Sequence, residues 1–361
     1  MAELVDAHDS KSCEVIHESS ILSRGTMKNK ILVILGPTAS RKSDLAVKLA
    51  KKFRGEIISA DSRQVYKDMN LGTGKITRKE MLGIPHYLLD IKDPRKQFNV
   101  IDFKKLANKK IKEILGKNKI PIICGGTGFY INAVVNNVDF PAVRVDKKLR
   151  KELEKKSAEE LFKLLKKLNP IRAENIDSKN KRRLIRAIEI AQTRIHPVKS
   201  CEAGPPTAEF NRASKNKLSP YSLQLEDKQT QTFSNSRELE SNEREYEFLQ
   251  IGIKTENEKL RKLIHNRLIK RIKKGMINEV KKLHENGVSW KRLDDFGLEY
   301  RYVSRYLRGL LSKEEMMEQL ESRIWQFSKR QKTWFKRNKN IKWFELKDYK
   351  KIEEEVQKFL V

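Results

Sequence analysis

Over residues 30–135, short apolar runs alternate with helical patterns, the signature of a βαβ series laid into a parallel sheet. Ile31–Leu35 is a continuous apolar run that breaks at Gly36. Beyond the break, Leu45, Leu49 and Phe53 recur every four residues, which predicts a helix with one buried face. Glu56-Ile57-Ile58 reads as a second short strand, and 120–128 as another strand running into a glycine-rich turn. From about 141 the pattern becomes one of charged amphipathic helices with no strands between them. Residues 197–243 are polar, with seven Ser and Pro205-Pro206, and cannot bury much surface; they read as a disordered insert. Helices resume after 246–253 and continue nearly to the end.

Composition narrows this picture only modestly. A chain of 361 residues can build a sizeable core and two structural units. Its 78 Lys and Arg exceed its 48 Asp and Glu, giving a net charge of +30 that favours a polyanionic partner. Lysine-rich codon usage gives the same bulk excess, so charge alone points only weakly to nucleic acid. Cys13, Cys124 and Cys201 lie far apart and form no CxxC pair, so neither a disulfide framework nor a zinc site is expected, in keeping with a reducing cytoplasm. No apolar run reaches about 18 residues, so no membrane span is expected. Residues 1–26 have neither periodicity and precede a second methionine, Met27; they read as a non-native or disordered leader.

The chemistry begins where the first apolar run ends. Gly36-Pro37-Thr38-Ala39-Ser40-Arg41-Lys42-Ser43 has the strand–loop–helix punctuation of a phosphate loop, whose backbone N–H groups and lysine cradle a di- or triphosphate. In such a loop Lys42 contacts the terminal phosphate and the Ser43 hydroxyl reaches Mg²⁺. Arg41 stands where the motif has its second glycine. A side chain there costs on the order of 1–2 kcal/mol if φ is positive. Alternatively, Arg41 points outward and adds charge. Asp61 follows the second strand, at the carboxyl ends where open parallel sheets bind ligands. Such an acid can hold Mg²⁺ or an acceptor in a kinase, act as a general base in a transferase, or merely cap a helix.

Taken together, the loop, the ISADSRQVY segment around Asp61, DMNLGTGKIT (68–77), Gly125-Gly126-Thr127-Gly128-Phe129-Tyr130 and the string KRQKTWF (329–335) resemble the tRNA dimethylallyltransferases, also called tRNA isopentenyltransferases. The resemblance implies an α/β fold, a P-loop NTPase-like parallel-sheet core with an inserted all-helical domain. In those terms 27–140 is the first part of the catalytic core, 141–196 a helical tRNA-binding insertion, 197–245 the polar insert, and 246–361 the helical, basic second part. The resemblance also implies transfer of a dimethylallyl group from dimethylallyl diphosphate to N6 of the adenine next to the anticodon. Asp61 would be the base for that amine, and Thr127 and Arg271 would serve the reacting groups and the pyrophosphate. Asp61, Ser62 and Gln64 would meet the tRNA. Arg182, Arg183 and Arg186 match the family's tRNA-gripping helix, with Arg182 in place of the usual Gln, and put three guanidiniums on about one face. Trp334 is expected to pack, and the eight Lys and Arg of 323–343 to face RNA. Glu299 departs from the family's Gly-Tyr pair and is expected to leave the chemistry untouched, and His86 to be a packed residue. The expected partners are the anticodon stem-loop of tRNA and dimethylallyl diphosphate, with Mg²⁺ as cofactor and a monomeric, cytoplasmic, bacterial-type enzyme. Two alternatives remain open: a P-loop kinase of a small metabolite, and a homologue that binds tRNA but is catalytically weakened through Arg41.

Overall fold

The computed structural model describes residues 29–195, apart from 142 and 144, and residues 246–361. The leader at 1–26 and the polar insert at 197–245, with Cys13 and Cys201, lie outside the described residues. Six strands are formed among the described residues: β1 (Lys30–Leu35), β2 (Gly55–Ala60), β3 (His86–Tyr87), β4 (Ile120–Gly125), β5 (Glu247–Ile253) and β6 (Ile341–Phe344). They make one sheet in the order β3-β2-β4-β1-β5-β6, and every pairing is parallel.

The continuous apolar runs follow from burial on both faces of such a sheet. Leu32 and Ile34 point into one core with the helix α1 (Lys42–Lys52), through Leu45, Leu49 and the adjoining Phe53. The last helix, Tyr349–Leu360, lies in the same core through Ile352, Val356 and Leu360. Ile31, Val33 and Leu35 face the opposite way. A short capped turn of helix, α2 (Arg78–Met81), precedes β3. The helices α3 (Val100–Gly116) and α4 (Gly128–Val135) cover that opposite face with Phe103, Ile111, Tyr130 and Val134.

The segment beyond 141 is helical, as its periodicity predicts: α5 (Lys147–Lys155), α6 (Ala158–Leu168), α7 (Pro170–Glu174) and α8 (Lys181–Ile195). Leu153, Leu161, Leu165, Leu184 and Ile188 close a small core of their own. Asp146, Ser157 and Asn169 cap three of these helices by accepting hydrogen bonds from first-turn backbone N–H groups. A further core gathers helices Asn257–Lys273, Met276–Glu285, Trp290–Phe296, Leu298–Leu307 and Lys313–Lys336 around Val65, Tyr66 and Met69.

One expectation needs correcting. The segment 246–361 is not helical throughout, because β5 and β6 extend the sheet beyond β1. β6 is only four residues long and lies at the sheet edge, too short and too exposed to leave a period-two signal. Trp343 therefore belongs to a strand and covers Gly252 rather than continuing the basic helix. The chain leaves β1 toward β4, β2 and β3 and returns on the other side to β5, which opens a crevice at the carboxyl ends of β1 and β4.

Candidate active site

The loop after β1 turns through two left-handed residues, Ala39 at φ 63° and Arg41 at φ 60°. Arg41 immediately precedes α1, with ψ 26°. The second-glycine position of the motif is thus in the conformation that favours glycine, and an arginine occupies it. Its side chain turns outward, 65% exposed, and its Nε donates to Asp44 at 3.0 Å. Lys42 Nζ donates to the Pro37 carbonyl at 3.2 Å, folded back over the loop. Burial pulls the Lys42 ammonium below its ordinary pKa; the charge of Arg267 acts in the same direction, while Cys124 and Asp61 oppose it. Ser40 is buried, and its Oγ has no hydrogen-bond partner among the described residues.

Asp61 and Thr127 meet where β2 and β4 end side by side, Ala60 pairing with Gly125. Asp61 Oδ1 accepts the backbone N–H of Arg63 at 2.8 Å and that of Gln64 at 3.3 Å. The segment that follows is a turn, so Asp61 fixes a turn and does not cap a helix. Its Oδ2 has no hydrogen bond among the described residues. Thr127 Oγ1 accepts the Ser62 N–H at 3.1 Å, and Thr127 N–H returns to the Ala60 carbonyl at 3.2 Å. Gln64 accepts from Ser59 Oγ at 3.3 Å and donates to the Gly74 carbonyl at 3.4 Å. Gly74 itself is left-handed at φ 60°, and a Cβ there would collide with the guanidiniums of Arg267 and Arg271.

Those two arginines share one face of the Asn257–Lys273 helix, as their spacing predicts. Arg267, not Arg271, reaches the phosphate loop, donating to Thr38 Oγ1 and to the Gly74 carbonyl, each at 3.4 Å. Burial, with the nearby charge of Arg271, pulls the pKa of Arg267 down to about 10. Arg271 lies behind it, nearly buried, bonded to the Gly72 carbonyl at 3.2 Å and to Glu299 at 2.9 Å. Glu299, expected to be remote from the chemistry, is therefore the counter-ion of a candidate site residue. Glu279 completes the support by accepting the N–H groups of Asn70, Leu71 and Gly72 at 3.0, 2.6 and 3.0 Å.

Gln331, which no local pattern marks out, closes the site from the Lys313–Lys336 helix. Its Oε1 accepts the Thr38 N–H at 2.8 Å, and its Nε2 donates to the Gly126 carbonyl at 2.8 Å. One buried amide thus spans the phosphate loop and the glycine turn, and a Cβ on Gly126 would sit 2.5 Å from that Nε2. Its place beside Trp334 in KRQKTWF was the only available signal. Trp334 packs, as expected, over Gly128 and edge-on to Phe129. His86 bonds the Ile84 carbonyl at 2.8 Å, and burial lowers its pKa, as befits a packed residue.

On α8 the three guanidiniums have separate fates. Arg182 is 87% exposed and lies 3.6 Å from Asp295 on the Trp290–Phe296 helix. Arg183 is exposed. Arg186 turns inward to Glu189 at 3.1 Å and the Val143 carbonyl at 3.0 Å. Glu189 is buried and also accepts a fork from Arg150 at 2.6 and 2.7 Å. The one-face picture is corrected to this extent: Arg186 braces the insertion.

Ser43, in the first turn of α1, and the unbonded oxygen of Asp61 are hard oxygen donors. Among the described residues no group of three or more His, Cys, Asp or Glu side chains is placed to hold a metal ion. That set suits Mg²⁺, which takes one or two protein oxygens and fills its shell with phosphate and water. No helix among the described residues is long and apolar enough to cross a membrane.

A parallel sheet with a phosphate-type loop at its reversal point, facing an acid and a threonine on the neighbouring strand tips, puts the molecule among the P-loop proteins. The family model described as IPP transferase matches residues 64–338, and the chain belongs to that family. The matched range begins just past Asp61, so the loop and the acid are linked to the family through its full-length members. The tRNA dimethylallyltransferase of Anoxybacillus flavithermus is 36% identical over 335 residues, covering 92% of this chain and 96% of the relative. That of Acetivibrio thermocellus is 39% identical over 319 residues, covering 87% and 91%. Among solved structures, the full-length tRNA isopentenylpyrophosphate transferase from Bacillus halodurans is 32% identical, with a TM-score of 0.62, covering 92% of this chain and 97% of that one. A eukaryotic dimethylallyltransferase acting on tRNA is 25% identical, with a TM-score of 0.64, covering 85% and 70%.

Proposed function

We propose that this protein is a tRNA dimethylallyltransferase, a cytoplasmic monomer that prenylates N6 of the adenine adjacent to the anticodon. The observation that carries this reading is the unbonded Oδ2 of Asp61 beside Thr127, at strand tips that also carry the phosphate loop. The adenine amine is a weak nucleophile because its lone pair is delocalised into the ring. As its nitrogen bonds to C1 of the donor, the C1–O bond breaks and the electron pair leaves with pyrophosphate. The proton released by the amine passes to Asp61. Arg63 N–H and Gln64 N–H hold Oδ1, so the other oxygen is the one aimed at the base.

Lys42, Arg267 and the N–H groups of the loop receive the negative charge that grows on pyrophosphate. Arg271 acts mainly by holding Gly72 and backing Arg267. The buried, unpartnered Ser40 hydroxyl and the like charge of Arg267 acting on Lys42 suit a cradle that an anion completes. Mg²⁺, held by Ser43 and the donor's phosphates, would further stabilise the leaving group. Ser62 and Gln64 border the entry for the base, which must leave its stack to arrive, while Arg182 and Arg183 present charge to the stem-loop.

Pyrophosphate release in the presence of tRNA and dimethylallyl diphosphate tests the reading. Asp61→Asn should leave tRNA and donor affinity nearly unchanged and lower kcat by roughly 10²–10⁴-fold. Turnover within a few-fold of the parent would remove Asp61 from the mechanism. ADP formation from ATP with a small acceptor, and no prenylated RNA, would favour a kinase instead.

A further inference from the structure

The two arginines beside the phosphate loop carry charges that the fold answers unequally. A Cβ at Gly74 would collide with Nη2 of both Arg267 and Arg271, so the tips of the two guanidiniums converge on one point. Arg271 is nearly buried and Arg267 half-buried, so little water lies between them to screen their repulsion. One carboxylate is paired with them: Glu299, itself nearly buried, accepts from Arg271 Nη1 at 2.9 Å. Arg267 meets no carboxylate among the described residues. Its partners, Thr38 Oγ1 and the Gly74 carbonyl, are neutral and lie at 3.4 Å, beyond the usual range for an N–H donor.

The start of the Leu298–Leu307 helix builds this asymmetry. Gly297 at φ 76° and Leu298 at φ 40° turn the chain into the helix, whose first turn carries Glu299 and Tyr300. Tyr300 packs on Gly72 and donates its hydroxyl to Glu279 at 2.9 Å. Glu279 holds the N–H groups of 70–72, and Arg271 Nη1 holds the Gly72 carbonyl. Both bonds of Arg271 therefore point into the fold, toward Gly72 and Glu299. Glu299 is also the acid that most strongly supports the charged form of Arg267, ahead of Asp61 and Glu80. One carboxylate thus restrains one arginine and sustains the other. The difference matters for a leaving group, because a cation that grips donor and product alike slows release without speeding transfer.

We propose that Glu299 is a positioning residue that keeps Arg271 off the donor's diphosphate, leaving Arg267 and Lys42 to receive it, and so limits how tightly pyrophosphate is held after transfer. The proposal rests on the reading that the loop binds a diphosphate. Calorimetric titration of the full chain with inorganic pyrophosphate tests it without RNA or turnover. Glu299→Gln keeps the shape and an acceptor oxygen but removes the charge. It should tighten pyrophosphate binding roughly fivefold or more, the order expected for one unit charge several ångströms away in a partly wet site. Glu299→Ala should tighten it too, and Glu299→Asp, which keeps the charge, should bind more like the parent than like the Gln variant.

In an Arg271→Gln background, Glu299→Gln should no longer tighten binding. In steady-state kinetics, Glu299→Gln should lower the donor KM without raising kcat. A purely architectural Glu299 predicts the reverse, weaker pyrophosphate binding and a raised KM. Pyrophosphate bound no more tightly by the Gln and Ala variants than by the parent, or a tightening that survives the loss of Arg271, would overturn the proposal. A parent chain with no affinity for pyrophosphate would instead reject the phosphate-loop reading itself, and the role of Glu299 with it.

Discussion

At position 41 the chain breaks its own motif, and the geometry decides between the two consequences that the sequence leaves open. Arg41 is left-handed at φ 60°, and its side chain is turned out to Asp44. Strain is therefore present, whereas direct charge donation to a bound diphosphate is not what this side chain is arranged to do. A non-glycine residue in this conformation costs about 1–2 kcal/mol. Arg41→Gly should raise kcat/KM for the donor by roughly tenfold, about 1.4 kcal/mol, with tRNA affinity unchanged. Kinetics against donor concentration check this, and a fall in activity would show that the arginine serves the loop. Asp61, Thr127 and Lys42 were legible at this scale because motif and strand ends locate them. Gln331 and Glu299 were not, since each acts on a residue far away in sequence: Gln331 on Thr38 and Glu299 on Arg271. No local pattern encodes such a pairing. The spacing of Arg267 and Arg271 likewise predicts a shared face, while their separate partners, Thr38 for one and Glu299 for the other, come from elements distant in sequence.

Among the elements, α8 shows how a basic stripe can hold two kinds of arginine. Burial pushes the Glu189 carboxyl up, but hydrogen bonds from Arg150 and Arg186 win and hold it below its ordinary range. A carboxylate with a lowered folded pKa contributes stability above the ordinary carboxylate range and loses it as pH falls through the lowered value. Glu189→Gln should thus destabilise α5–α8 by roughly 1–3 kcal/mol near neutrality. The gap from the parent should close on acidification below about pH 4. Hydrogen exchange of the α8 amides against pH measures it; a gap of constant size would mean that packing, not charge, is lost. A consequence for mutagenesis is that removing Arg186 also strips a partner from a buried acid, so Arg183 is the cleaner probe of RNA contact. Helices and the long strands were readable here because each carries several periods of its pattern. β3 and β6, two and four residues long, carry too few.

For the whole molecule, the parallel sheet has an order of assembly built into it. β1 pairs with β4, completed by residue 125, but also with β5, which begins at 247, and β5 pairs with β6 at 341–344. Ile352, Val356 and Leu360 of the last helix share the core of Leu32 and Ile34. Burying three such side chains is worth roughly 5–8 kcal/mol, comparable to the net stability of a typical domain. A nascent chain emerging from the ribosome therefore carries β1 and its phosphate loop until residues 247–360 have been made before either face of that strand is finished. Residues 1–348 alone should stay protease-sensitive across 30–135, whereas residues 1–361 should be resistant there. A truncated chain with a resistant first half would show that β1, β2 and β4 fold without waiting for the end. If the wait is real, the phosphate loop takes its working shape only once residues 341–360 have cleared the exit tunnel, and chaperones would be needed most for 30–135 in the interval before.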